Sequence, residues 1–153
     1  MFGLRHDATV SSPPLKSGSL LELFRIVQKE GDSSKWELLA KQADLGKNMK
    51  TAELESLRLN IYKPSGLIVS AKQGLYDFST RNMEFLGDVA IKGKSWSLTT
   101  QKADWNDSDG FITSAEPISM EGKTFNLRGI GLHVDVKTQI ARTSEVTCTF
   151  NSN

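Results

Sequence analysis

The sequence predicts an all-β domain built from a repeated two-strand unit. Three observations carry that prediction: apolar residues alternate with period two along most of the chain, turn residues punctuate the alternations, and one short pattern recurs at a near-constant interval. In a strand successive side chains point to opposite faces, so an apolar residue at every second position marks a strand with one face against a core.

The alternation starts at Trp36, Leu38 and Ala40. It resumes at Leu57, Leu59 and Ile61, at Leu67, Val69 and Ala71, at Phe85, Gly87, Val89 and Ile91, and at Leu132, Val134 and Val136. Between the runs lie Lys63-Pro64-Ser65-Gly66, Lys92-Gly93-Lys94, Asn106-Asp107-Ser108-Asp109-Gly110 and Glu121-Gly122-Lys123. Glycine, proline, asparagine and aspartate supply the backbone angles that tight turns need. Short strands joined by tight turns make antiparallel hairpins, and hence a sandwich, barrel or roll.

Two segments read ambiguously. Ser19-Leu20-Leu21-Glu22 resembles a helix capping box, and Leu20, Leu23, Phe24 and Val27 fall at helical spacing, so local evidence favours a helix over 19–30. Leu54, Leu57 and Ile61 could also line a helix, although Leu57, Leu59 and Ile61 alternate cleanly as a strand. Residues 1–18, with Ser11-Ser12-Pro13-Pro14 and Ser17-Gly18, lack periodicity and read as a flexible lead-in to a single domain over 19–150.

The recurring pattern is Ala40-Lys41-Gln42-Ala43, then Ala71-Lys72-Gln73-Gly74, then Thr100 with Ala103-x-Trp105, with a fainter echo at Gly129-Ile130-Gly131-Leu132. Each period holds about two strands and cannot bury its apolar face alone, so stacked copies must share one core. The small residues Ala43, Gly74 and Ala103 suggest a bulge or a close backbone approach.

Chemistry is harder to find. The chain has 153 residues, 19 Lys and Arg against 18 Asp and Glu, and a net charge of +1. A nucleic-acid partner is therefore not expected, because phosphate neutralisation requires a basic excess. The two histidines, His6 and His133, lack companions at metal-ligand or triad spacing. No glycine-rich phosphate loop occurs. Neither an enzyme nor a cofactor is expected. Cys148 precludes an intrachain disulfide and reads as a small buried apolar residue. Trp36, Trp96 and Trp105 lie in or beside strands and read as core. Lys63, Lys72, Lys92, Lys94 and Arg128 read chiefly as a solvated face, with a secondary reading as a cationic rim.

Taken in order, Trp36-Glu37-Leu38-Leu39-Ala40-Lys41-Gln42-Ala43, Leu67-Ile68-Val69-Ser70-Ala71-Lys72-Gln73-Gly74, Leu86-Gly87-Asp88-Val89, Leu98-Thr99-Thr100, Ile112-Thr113-Ser114-Ala115-Glu116-Pro117-Ile118 and Gly129-Ile130-Gly131-Leu132 resemble the LptC family of lipopolysaccharide export. The likeness covers roughly 20–150. It implies a twisted, open β-jellyroll of two opposed antiparallel sheets, and it makes 20–28 a strand. It further implies an apolar groove for lipopolysaccharide acyl chains. The partners it implies are an inner-membrane ATP-driven extractor and a soluble periplasmic β-jellyroll bridge protein. It also implies a periplasmic location with an inner-membrane anchor helix ahead of the lead-in.

On that reading the inward members of the alternations line the groove: Leu38 and Ala40, Leu59 and Ile61, Val69 and Ala71, Phe85, Val89 and Ile91, Leu98, Ile118 and Met120, and Leu132 and Val134. The terminal run Val146, Thr147, Cys148, Thr149 and Phe150 is the expected docking edge for the soluble partner, unless the tail Asn151-Ser152-Asn153 protects it. The competing expectation is a β scaffold that joins partners by its sheet edges and binds no lipid.

Overall fold

The computed structural model describes residues 20–47, 49–63 and 66–150, and every regular element among them is a strand. They are β1 (Leu20–Glu30), β2 (Ser33–Leu45), β3 (Thr51–Ile61), β4 (Leu67–Asp77), β5 (Met83–Lys92), β6 (Ser97–Asn106), β7 (Phe111–Glu121), β8 (Phe125–Asp135) and β9 (Ile140–Phe150). They form one antiparallel sheet in sequence order, β1 to β9, each strand paired with its chain neighbours. The lead-in (with His6 and Ser19), the turn residues Pro64 and Ser65, and the tail Asn151-Ser152-Asn153 lie outside the described residues.

The two opposed layers are halves of this single sheet. The strands bend near their middles, and in β2, β3, β4, β6 and β8 two consecutive residues face outward there between inward ones. In β2 the corner is Lys41-Gln42 between buried Ala40 and Ala43; in β3 it is Glu55-Ser56 between buried Leu54 and Leu57; in β6 it is Gln101-Lys102 between Thr100 and Ala103. Left-handed backbone marks the line of corners: Leu23 (φ 57°), Ser56 (φ 51°), Gly87 (φ 80°), Asp88 (φ 45°), Gly131 (φ 82°) and Glu145 (φ 50°). From β4 onward the pairing also slips at this line, as bulges do when they bend a strand. The first layer holds 24–30, 33–40, 57–61 and their neighbours across the sheet; the second holds 20–22, 42–45, 51–55 and theirs.

The corner explains the repeat and the two ambiguous segments together. The recurring pattern falls on the corners of the even strands β2, β4, β6 and β8. A corner also spaces inward residues three apart instead of two, as in Leu54 to Leu57. In β1 the register sets Leu21 opposite Ala43 and Phe24 opposite Ala40, again three apart. A bent strand thus imitates helical periodicity. Where local spacing suggested a helix over 19–30, Leu20–Glu30 is a strand, as the family resemblance implies, and the 50–63 segment holds the strand Thr51–Ile61. Gly74 is a close approach: a Cβ there would stand 2.6 Å from the Glu84 carbonyl oxygen and 2.9 Å from Leu57 Cδ1.

Candidate functional site: the inward face of the folded sheet

Folding one face inward creates a continuous apolar lining. Cross-strand partners share a face, so the register traces rows across it. In the first layer one row runs Ile26, Leu38, Leu59, Val69, Ile91, Leu98, Met120, Leu127 and Cys148, one residue from every strand. In the second layer a row runs Leu45, Ala52, Tyr76, Met83, Trp105, Ile112, Val134 and Ala141. The structure brings the candidate lining residues together on these walls. Leu38, Ala40, Leu59, Ile61, Val69, Ala71, Phe85, Val89, Ile91, Leu98, Ile118, Leu132 and Val134 are buried in one cluster, and half-buried Met120 packs against it.

Between β2 and β6 the inward side chains of both layers are shut off from solvent, none above 8% exposed. Among the described residues the buried polar side chains are Thr100, which donates to the Pro117 carbonyl at 3.0 Å, and Asp107. Burial pushes the Tyr76 hydroxyl well above its usual pKa, so it stays neutral inside the wall. Surface depressions lie on the outside of the corner. One of about 870 Å³ is lined by Leu23, Lys41, Glu55, Ser56, Lys72 and neighbours, and of the candidate lining residues only Ala40 borders a described depression.

The two layers meet at their rims. Turns after odd strands lie on the first layer's rim and turns after even strands on the second's. Trp36 Nε1, at the start of β2, donates to Asp107 Oδ1 in the β6–β7 turn at 2.9 Å. Gln139 in the β8–β9 turn reaches Gly66 before β4 and Lys94 before β6. Each first-layer position therefore meets a second-layer position later in the chain, and the first-layer halves of the last strands run past the end of the second layer. Exposure follows this offset. The first-layer row is fully buried from Ile26 to Ile91 (0%), half-buried at Met120 and Leu127, and exposed at Cys148, with Phe150 at 73%. At the same end of the sheet the second layer stays shut, with Ile112, Val134 and Val136 at 0%. The result is an apolar shelf continuous with the core.

Sequence reasoning missed Phe125 and Leu127, which line this shelf. Their run Phe125-x-Leu127-x-Gly129 does alternate, but it is short and ends in glycine. Cys148 corrects the expectation of a buried thiol: it is exposed, because nothing among the described residues covers the end of the shelf. Trp36 and Trp105 are core, as expected, and half-buried Trp96 packs on the cluster from the rim. His133 sits 4.4 Å from the Phe111 ring. Among the described residues no group of three His, Cys, Asp or Glu is placed to hold a metal ion.

Of the suggested cationic rim, Lys63, Lys92 and Lys94 lie on or beside the first-layer turns, joined there by Lys123. Lys72 does not: it stands on the outer corner, 2.9 Å from Asp88. Val146 to Phe150 form the end of β9, an edge strand whose far side pairs with no strand among the described residues.

The second layer's outer face carries an electrostatic cost. Half-buried Asp104 stands directly opposite Glu84. Burial raises its pKa, Lys102 works against this, and Glu84 adds to it. A raised carboxyl pKa means the charged form destabilises the fold above that pKa, and the cost disappears as pH falls below the unfolded value. Asp104→Asn should therefore raise the melting temperature at pH 7, with the gain fading toward pH 4. Thermal melts across that range check it, and a gain that grows on acidification would refute the assignment.

Comparison with known proteins agrees with this geometry. The family described as lipopolysaccharide-assembly, LptC-related, matches residues 21–149. Searching curated proteins gave no match. Among solved structures the fold is similar to the crystal structure of LptH, the LptA homologous periplasmic component of the conserved lipopolysaccharide transport device from Pseudomonas aeruginosa. The TM-score is 0.60 at 9% identity, covering 76% of this chain and 95% of that one. A family match that spans the sheet from β1 to β9, on a jellyroll of this kind, shows that the chain belongs to the LptC-related lipopolysaccharide-assembly family.

Proposed function

We propose that the domain carries lipopolysaccharide by holding acyl chains against the inward face of its folded sheet, and that it is a binding module with no catalytic role. The supporting observation is the first-layer row, which passes unbroken from closed core to open shelf. Each methylene that leaves water for such a surface gains about 0.8 kcal/mol, without directional preference. Chains can thus be held firmly and still slide. The shelf is the entry site on this reading. The deeper residues from Leu38 to Leu98 receive chains as the layers part. The first-layer rim, with Lys63, Lys92, Lys94 and Lys123, faces the anionic groups of the lipid.

On the same reading the domain works in the periplasm, tethered to the inner membrane by a helix N-terminal to β1. It takes lipid from an ATP-driven extractor and passes it to a soluble β-jellyroll that extends the sheet at the free edge of β9 (Val146, Thr147, Cys148, Thr149 and Phe150). Exposed edge amides and carbonyls suit strand addition. Mass spectrometry of the purified domain after gentle extraction should find lipopolysaccharide bound. A domain that joins its partner through β9 but arrives lipid-free would be a scaffold instead.

A further inference from the structure

Among the described residues, side-chain hydrogen bonds tie the rims at two places of unlike construction. One is buried: Asp107 accepts across the rims from Trp36 at 2.9 Å, and is held within its own rim by Arg81 Nε, which donates to it at 3.1 Å, and by Asn82 Oδ1, which accepts from its backbone N–H at 3.0 Å. Trp36 is fully buried and Asp107 nearly so, so parting the rims there leaves the indole N–H and a carboxylate oxygen without their partner in a buried site. The other is a single half-buried side chain whose hydrogen bonds are exposed. Gln139 Nε2 donates to the Gly66 carbonyl at 2.7 Å, and Gln139 Oε1 accepts from the Lys94 N–H at 3.3 Å. One neutral carboxamide thus bridges three turns, with both of its ends in use.

The surroundings are fitted to that side chain. Gln139 has φ 60°, a conformation that a long side chain seldom adopts outside glycine-rich turns, and its own N–H is held by the Asp135 carbonyl at 2.7 Å. Val136, fully buried three residues earlier, anchors the turn in the core. Across the rim, a Cβ at Gly93 would stand 2.9 Å from Gln139 Oε1, so residue 93 leaves room for the amide. Both hydrogen bonds lie in solvent, where water takes over each partner when they break, at little net cost.

We propose that the Gln139 carboxamide is a releasable latch that sets how readily the rims part to admit an acyl chain. This rests on the acyl-binding reading above. The Trp36–Asp107 contact acts as the hinge-side clasp that stays shut, and Gln139 acts as the side that yields.

The test uses Gln139→Glu, which keeps the shape but loses the donor to Gly66, and Gln139→Ala, which loses both bonds. Spin labels attached through unnatural residues at positions 63 and 137 report the distance between rims. Stopped-flow uptake of dispersed fluorescent lipopolysaccharide reports entry. Both variants should broaden the rim distance toward longer values and speed uptake several-fold, with a melting temperature close to that of the parent. An unchanged distance distribution overturns the latch, and so does unchanged uptake in a variant whose parent binds lipid. If the parent itself takes up no lipopolysaccharide, the acyl-binding reading fails and the gating role falls with it.

Discussion

Trp36→Ala is expected to cost about 3–5 kcal/mol of folding stability, the range for emptying a large buried aromatic site. Trp36 is fully buried, makes an edge-on contact with Tyr76 at 6.2 Å, and supplies the hydrogen bond that ties the layers at Asp107. Two losses combine in the alanine variant: a cavity between the layers, and an Asp107 oxygen left in a buried site without its donor. Trp36→Phe separates them. It keeps most of the volume and should cost about 1–3 kcal/mol, the penalty for an unsatisfied buried polar group. Since domains of this size are stable by only about 5–15 kcal/mol, the alanine variant should show a markedly lower urea midpoint. If both variants cost less than about 1 kcal/mol, the low end of the penalty for an unsatisfied buried group, the layers are not held through Trp36.

Leu127→Asp should have the opposite profile, a small effect on folding and a large one on lipid. Leu127 is half-buried and lies between Met120 and Cys148 in the row, so a carboxylate there keeps access to water. The folding cost should stay near the average of about 1 kcal/mol for a point substitution. Any chain lying along the shelf would meet a charge that must be desolvated, which costs more than the few methylene contacts it replaces. Binding of lipopolysaccharide should fall by more than tenfold in a titration with the folded variant. Leu132→Asp, in the closed second layer at 5% exposure, should instead unfold the domain. A Leu127→Asp protein that binds as tightly as its parent would remove the shelf from the account.

Much of this was legible in the sequence because period two is a direct consequence of strand geometry. Leu57, Leu59 and Ile61, or Leu67, Val69 and Ala71, reveal a buried face without any knowledge of what covers it. The corners were legible only as a repeat. Lys41-Gln42 and Lys72-Gln73 recur because each even strand must present two outward residues in succession where it bends, yet the same step lengthens the apolar spacing and counterfeits a helix at 19–30. The offset between layers was not legible. It depends on contacts such as Trp36 with Asp107 and Gln139 with Gly66, which join residues some seventy positions apart through side chains of ordinary types. Without the offset, nothing distinguishes a wall residue like Leu38 from a shelf residue like Leu127, and Cys148 looks like core.

The most direct test of the central claim is a photocrosslinking scan along adjacent strands of the overhang. A photoreactive residue is placed in turn at inward Met120 and Leu127 and at their outward neighbours Ser119 and Arg128, and the protein is irradiated with lipopolysaccharide. Adducts from positions 120 and 127, with little from 119 and 128, are the predicted result. Equal labelling of both faces, or labelling of the outward face alone, would contradict an acyl-binding inner surface.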